Sequence, residues 1–521
     1  MKIRSFSKRV VYFVLFIAIS LSITTTVQAV LMSVRISGNM IIDGDVNSFT
    51  LSPDGQTAVF IADARANEVN ELFSVNAEIG TPVPLSPPMT IDNMVLGFVI
   101  SPNSQQVVYW TGNTEGETSG LYAVPISGGT PTVLDDTFPD ADRLVDIAIS
   151  PNNLQVVYIV DHGDGGINEV LWRVPMAGGT PLALSTTATS SLGKYVDFEI
   201  TPDSVYIVYK IEVYPHSQLY RTDMEGNDEL LAEILIGDFT LTSEYVVFTK
   251  IYNNPNYAIY SIPIMGGITS TLNGTMVAEG SVEDFQISAD GEYVVYRADE
   301  VEDEQIELFA VPVGGGTRTR LLSSMVDFGD VVDYQILPNS LGVVYSADQL
   351  EDERIDLGAV AITGGTNYWL NGSMVDNADV TVFDVTPNSL GVVFQADKIT
   401  DNVFELFIVS VVGANLHELT VGMPTFGDVL KYKIMPNNAG VIYLADMQAN
   451  DVFNLYLVPT VGVAESVCLN RQHLAGADVS DFEITSDSKG VVYRADQETD
   501  GVFELFSTFD RQAVFLPALM K

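Results

Sequence analysis

Residues 281–317 read SVEDFQISADGEYVVYRADEVEDEQIELFAVPVGGGT, and this stretch decides the fold. Three short apolar runs, DFQIS, EYVVYRAD and ELFAVP, are separated by Ala-Asp-Gly and by an acidic loop, and the last closes on Gly-Gly-Gly. Short runs rich in aromatic and β-branched residues, bounded by turn residues, read as strands. The same text recurs about ten times and fills nearly everything after the N-terminus.

Aligning the aromatic of the second run gives Phe60, Tyr109, Tyr158, Tyr209, Phe248, Tyr296, Tyr345, Phe394, Tyr443 and Tyr493. Successive gaps are 48 to 51 residues, with one of 39. The first run has its own series (Phe49, Phe98, Ile147, Phe198 onward), and so has the third (Phe73, Tyr122, Trp172, Tyr220 onward), where Gly358 is a gap. Three series holding one period mark a repeat architecture.

Between first and second runs stand Ser52-Pro53-Asp54-Gly55, Ser101-Pro102-Asn103-Ser104 and Thr386-Pro387-Asn388-Ser389. Proline pre-sets φ, Asp or Asn bonds back to the backbone, and Gly accepts positive φ. Gly128-Gly129, Gly178-Gly179, Gly266-Gly267 and Gly364-Gly365 suit tight hairpins to a fourth strand ending near Leu85, Leu134, Leu184 and their equivalents. Four strands per repeat make a propeller blade, whose two apolar faces only neighbouring blades can cover. The expected fold is all-β, a β-propeller of about ten four-stranded blades formed by residues 30–521.

Ten blades exceed the usual four to eight. Two arrangements are open at this point: a single large ring, or two smaller propellers with a seam near residue 235, where the repeat shortens. The single ring is favoured. Residues 33–49 supply a stray fourth strand and crossover before the first full repeat, and the last repeat ends irregularly. Pairing Met32–Ser37 with the blade that holds Glu504–Phe509 would remove two open edges at once.

The Ser-Pro-Asp-Gly turn, the VVY or VVF strand, the LF or LY strand and the Gly-Gly turn resemble WD-repeat-like propeller repeats of the TolB type. Propellers of prolyl-oligopeptidase and tricorn-type peptidases share them. The resemblance covers roughly residues 33–521 and implies fold more than function, because such propellers serve many roles. The sequence has no Gly-x-Ser-x-Gly nucleophile elbow, so the peptidase chemistry of those relatives is not expected.

Lys+Arg number 24 against Asp+Glu 68, a net charge of −44. That excess repels nucleic acid and anionic lipid and suits basic partners, besides keeping a protein soluble. Lys2, Arg4, Lys8 and Arg9, the apolar run 10–21 and Val27-Gln28-Ala29 form a secretory signal peptide over residues 1–29, so the expected location is secreted, periplasmic or cell-surface. After cleavage no stable membrane insertion is expected. Cys468 is the single cysteine, which rules out an internal disulfide, and the four histidines lack zinc spacing.

Two acidic patterns are candidate sites. Asp496, Glu498, Asp500 and Glu504 alternate around Gly501 in the manner of a calcium loop, so Ca²⁺ is the one cofactor suggested. The plainer and preferred reading is a solvated hairpin. Asp146, Asp197, Asp238, Asp284, Asp333 and Asp481 each precede the first-run aromatic and would ring one mouth of the central channel, where a cation or basic segment could bind. The plainer reading has each bonding a neighbouring blade's backbone. Met40, Met89, Met276, Met325, Met374 and Met423 share one slot and read as packing, with His473 in the same slot. Asn273 and Asn371 match a glycosylation pattern but read as turn residues, and Trp110, Trp172 and Trp369 offer stacking surface for a glycan. The expected function is a secreted, non-enzymatic binding or scaffold module for protein or glycan partners. The alternative is an extracellular hydrolase or lyase using carboxylates, calcium-assisted.

Overall fold

The computed structural model describes residues 32–162, 169–184, 193–213, 216–233, 235–253, 256–322, 325–351, 353–461, 465–470 and 476–509. The signal peptide and His473 lie outside them. The unit Met32–Phe509 consists of ten four-stranded antiparallel sheets, with no helix among the described residues. Blades 1 to 9 span 46–84, 94–135, 143–183, 193–233, 236–271, 282–320, 331–369, 380–418 and 429–468. Blade 10 takes three strands from 479–509 and its fourth from Met32–Arg35.

That fourth strand closes the ring as the sequence suggested. Met32 pairs with Phe509, Ser33 with Thr508, Val34 with Ser507 and Arg35 with Phe506. Ile36, fully buried, then packs with Val492 and Leu505 of blade 10 and Val46 and Phe49 of blade 1. Packing also runs unbroken past residue 235: Val208 and Leu219 of blade 4 share one cluster with Ile236, Phe239 and Phe248 of blade 5. The ten blades therefore form one ring, and the two-propeller arrangement is set aside.

Inside a blade, the aromatics of the second and third strands stack. Eight blades repeat this pair with ring centroids 5.2 to 5.8 Å apart, from Phe60–Phe73 to Tyr493–Phe506. In blade 7 the third-strand partner is Gly358, and Trp369 of the fourth strand fills the place, edge-on to Tyr345 at 6.3 Å. A Cβ at Gly358 would sit 2.4 Å from the Tyr345 ring, so glycine is required there. The methionine slot is packing: Met40, Met89, Met276, Met325, Met374 and Met423 each join an interblade cluster.

Polar stitches join the blades on both faces. On one face the first turn of a blade donates to a side chain of the next, as Asp54 N to Ser104 Oγ (3.0 Å) and Asn388 N to Asn438 Oδ1 (3.1 Å). At the last joint the acceptor is replaced by Gly55, whose Cβ would lie 2.5 Å from Ser486 N.

On the opposite face, the aspartate that follows the second strand in blades 1 and 6 to 10 is tied inward. Asp397 Oδ1 accepts from Asp379 N (2.7 Å), and Asp379 Oδ1 accepts from Ile355 N of the preceding blade (2.8 Å). Asp446 with Asp428, Asp496 with Asp478, and Asp63 with Asp45 repeat this relay. Replacing Asp379 by Ala removes the acceptor of the half-buried Ile355 amide, and a loss of about 1 kcal/mol is expected as a lower urea midpoint.

Candidate functional site: the acidic channel mouth

The first strand of each blade lies innermost, because successive first strands bond one another side by side. Gln286 Nε2 reaches Tyr334 O and Gln335 Nε2 reaches Phe383 O, both at 2.9 Å. Lys433 Nζ reaches Phe482 O at 3.0 Å, and across the closure Leu51 N donates to Glu483 Oε2 at 2.8 Å.

Every first strand carries a register shift early in its course. A β-bulge bends the strand and re-aims a side chain. The residue at or just after it is Ser48, Gly97, Asp146, Asp197, Asp238, Asp284, Asp333, Val382, Lys431 and Asp481 in blades 1 to 10. All six aspartates read from the sequence thus share one structural position. Five occupy consecutive blades, 3 to 7. The strand enters from the face that bears the acidic loops, so the arc borders that mouth.

The six are not equivalent. Asp146, Asp197, Asp238 and Asp333 are exposed. Burial, aided by the charges of Asp146 and Asp238, pushes the Asp197 carboxyl above its ordinary range, while Phe198 N–H and Lys210 pull the other way. Lys210 Nζ is itself bound to Gly237 O at 2.9 Å. Asp284 is gripped by Arg297, whose Nε lies 3.0 Å from Oδ2 and whose Nη1 reaches Val331 O at 2.9 Å. Asp481 meets Lys431 Nζ at 2.5 Å. The expectation that each aspartate ties down a neighbouring blade's backbone is corrected: Asp146, Asp333 and Asp481 accept from the amide of their own next residue, each at 2.8 Å. The stitching falls to the next inward slot, that of Glu199, Gln335, Lys433 and Glu483. Lys431 and Lys433 were missed in the sequence, although Lys431 stands at the aspartate position of its repeat.

The loop 496–504 is used otherwise. Asp496 Oδ1 accepts from Asp478 N and Oδ2 from Gly501 N, at 2.7 and 3.1 Å. Glu498 and Glu504 share Arg35, each with an oxygen 2.9 Å from its Nη1, and Asp500 is exposed. Among the described residues no group of three or more His, Cys, Asp or Glu is placed to hold a metal ion. With three of the four carboxylates engaged, millimolar Ca²⁺ or a chelator is expected to leave the melting temperature within about a degree; a rise of several degrees, lost in Asp496→Asn, would show that the loop rearranges around an ion.

Trp110 covers Gly97 and Trp172 faces Tyr158, both packed against the cluster between blades 2 and 3, and Trp369 faces Tyr345 in blade 7. Asn371 is buried, its amide bonded to Asp356 at 2.7 Å, as a turn residue would be. No helix among the described residues is long and apolar enough to cross a membrane.

Fold and mouth together define a ten-bladed β-propeller with an acidic channel entrance. No family model and no curated protein matches the chain. Solved structures with similar arrangements include a eukaryotic initiation factor, at 11% identity and TM-score 0.45 over 73% of this chain and 89% of that one. Porphyromonas gingivalis dipeptidyl peptidase 4 is similar at 11% identity and TM-score 0.47 over 67% of this chain, which spans 57% of the peptidase. An oligogalacturonate lyase of Vibrio parahaemolyticus is similar at 13% identity and TM-score 0.36, over 71% of this chain and 98% of that one. These likenesses are too distant to carry an argument about activity.

Proposed function

We propose that this chain is an exported, non-enzymatic propeller that binds protein partners at its acidic mouth through a basic segment. The contiguous arc Asp146, Asp197, Asp238, Asp284 and Asp333 carries this reading. It sets like charges side by side with few local cations, and a cation-rich segment is what relieves such a field. The signal-peptide pattern supports export. A rigid ring that holds loops and inner-strand side chains at fixed spacing suits recognition.

The test is binding of a fluorescent oligolysine peptide to the wild-type protein and to Asp146→Asn/Asp197→Asn/Asp238→Asn. Wild-type binding should weaken with salt, since exposed charges are screened, and the triple variant should bind at least about tenfold more weakly. Equal binding by both proteins would sink the reading. Turnover on a glycan or phosphoester panel, lost in the same variant, would replace it with the hydrolase or lyase alternative.

A further inference from the structure

Blades 1, 6, 8 and 10 open their third strand with the same three residues, Glu-Leu-Phe, at 71–73, 307–309, 405–407 and 504–506. In blade 1 the fourth-strand residue opposite the phenylalanine is Pro84, and Glu71 takes its guanidinium from Arg65 of the preceding loop, at 3.2 Å. In blade 6 the fourth-strand residue opposite the phenylalanine is Arg320, and in blade 10 it is Arg35. Each guanidinium pairs with the glutamate two residues before that phenylalanine: Arg320 with Glu307, and Arg35 with Glu504 at 2.9 Å. In blade 8 the residue opposite Phe407 is Glu418. Where two sister blades seat a guanidinium, blade 8 sets a second carboxylate.

The consequence shows on Glu405. Its residue is 6% exposed, and Oε2 is buried with no hydrogen-bond partner, as is Oε2 of Glu71 and of Glu307, whose other oxygen holds an arginine. Burial first, and then the charge of Glu418, push its carboxyl up to about 7, and burial raises Glu418 too. Lys398, the cation of the adjacent loop, donates instead to Ser373 O. Glu418 is half-buried on the outermost strand, so the slot opens at the rim of the ring.

We propose that Glu405 and Glu418 form a receptor slot for the guanidinium of an arginine side chain from a protein partner. The sister blades fix the chemistry: the same strand pairing accommodates a guanidinium against the same glutamate. A planar fork of N–H donors matches carboxylate oxygens in a way that a compact ammonium does not. A divalent calcium ion wants six to eight oxygens, and two carboxylates offer four. The slot lies on the outer rim and is independent of the channel mouth.

The experiment measures thermal stability at pH 8 against increasing arginine amide, with lysine amide and CaCl₂ as parallel arms, for wild type, Glu418→Gln and Glu418→Arg. Arginine amide should raise the wild-type melting temperature saturably by about 2–4 °C. The apparent affinity should fall about tenfold in Glu418→Gln. Glu418→Arg should melt higher without ligand and show no response, because it rebuilds the pair of blades 6 and 10. The channel-mouth triple variant should respond as wild type does, which separates this site from the mouth. The proposal is overturned if wild type shows no saturable response, if lysine amide or CaCl₂ serves equally, or if Glu418→Gln responds undiminished. Stabilisation by acid alone, with none from arginine amide, would mean that the carboxyls simply share a proton, and overturns it equally.

Discussion

Removing residues 32–37 is expected to lower thermal stability sharply, the largest effect that a short deletion should have anywhere in the ring. The segment supplies the fourth strand of blade 10 with four backbone pairings, the Ser33–Tyr493 hydrogen bond and the Arg35–Glu504 ion pair. It also supplies Ile36, fully buried between blades 10 and 1. One buried isoleucine and several ladder bonds together represent on the order of 5–8 kcal/mol. The loss also uncovers the edge of blade 10 and frees the joint at which the array closes, and each blade contacts only its neighbours. Ile36→Ala alone should cost about 2–4 kcal/mol. Calorimetry of the two variants checks both; a melting temperature unchanged by the deletion would mean that the closure contributes nothing.

The second large effect is opposite in sign. Glu405→Gln should stabilise the protein at pH 8 by roughly 3 kcal/mol and have little effect near pH 4. The folded carboxyl titrates near 7, above its ordinary 4.5, because burial and Glu418 oppose its charge. The folded state therefore holds this proton more tightly than the unfolded chain does. Stability from this group is complete below about pH 4.5, declines as pH rises through 7, and is flat beyond. Urea midpoints for wild type and variant at pH 4, 6 and 8 should diverge across that window. Equal shifts at pH 4 and pH 8 would show that the amide acts through packing and not through the proton.

Much of the architecture was legible before any coordinate. The three aromatic series gave the blade count, since a four-stranded blade must place its second-strand aromatic once per repeat. The stray run at the start gave the closure, because an unpaired fourth strand at one end and a missing one at the other have one economical solution. The aspartate slot was legible too, as a residue type recurring one place before the first-strand aromatic.

What those aspartates do was not legible. Asp284 lies 13 residues from Arg297, across a hairpin, and Asp481 lies 50 residues from Lys431, across a blade joint. Nothing local distinguishes these two from Asp146 or Asp333, whose carboxylates accept from their own strand's next amide. The acidic loops misled for the same reason. Asp496 looks like a free ligand in the sequence, yet its oxygens serve amides at positions 478 and 501 once the crossover folds back. Glu418 gave no signal at all until strand register set it where Arg320 and Arg35 stand.

The sequence by itself determined the strand order, the repeat, the blade number and the wish of each sheet to bury both faces. These follow from alternation along a strand and from turn chemistry, which act between residues a few places apart. Only the tertiary structure decided that the ring is single, which aspartates keep their charge exposed and which glutamate lacks its arginine. Those are matters of Coulomb interaction and solvent exclusion, which depend on distance through space, and the ring brings together residues that the chain keeps a whole repeat apart.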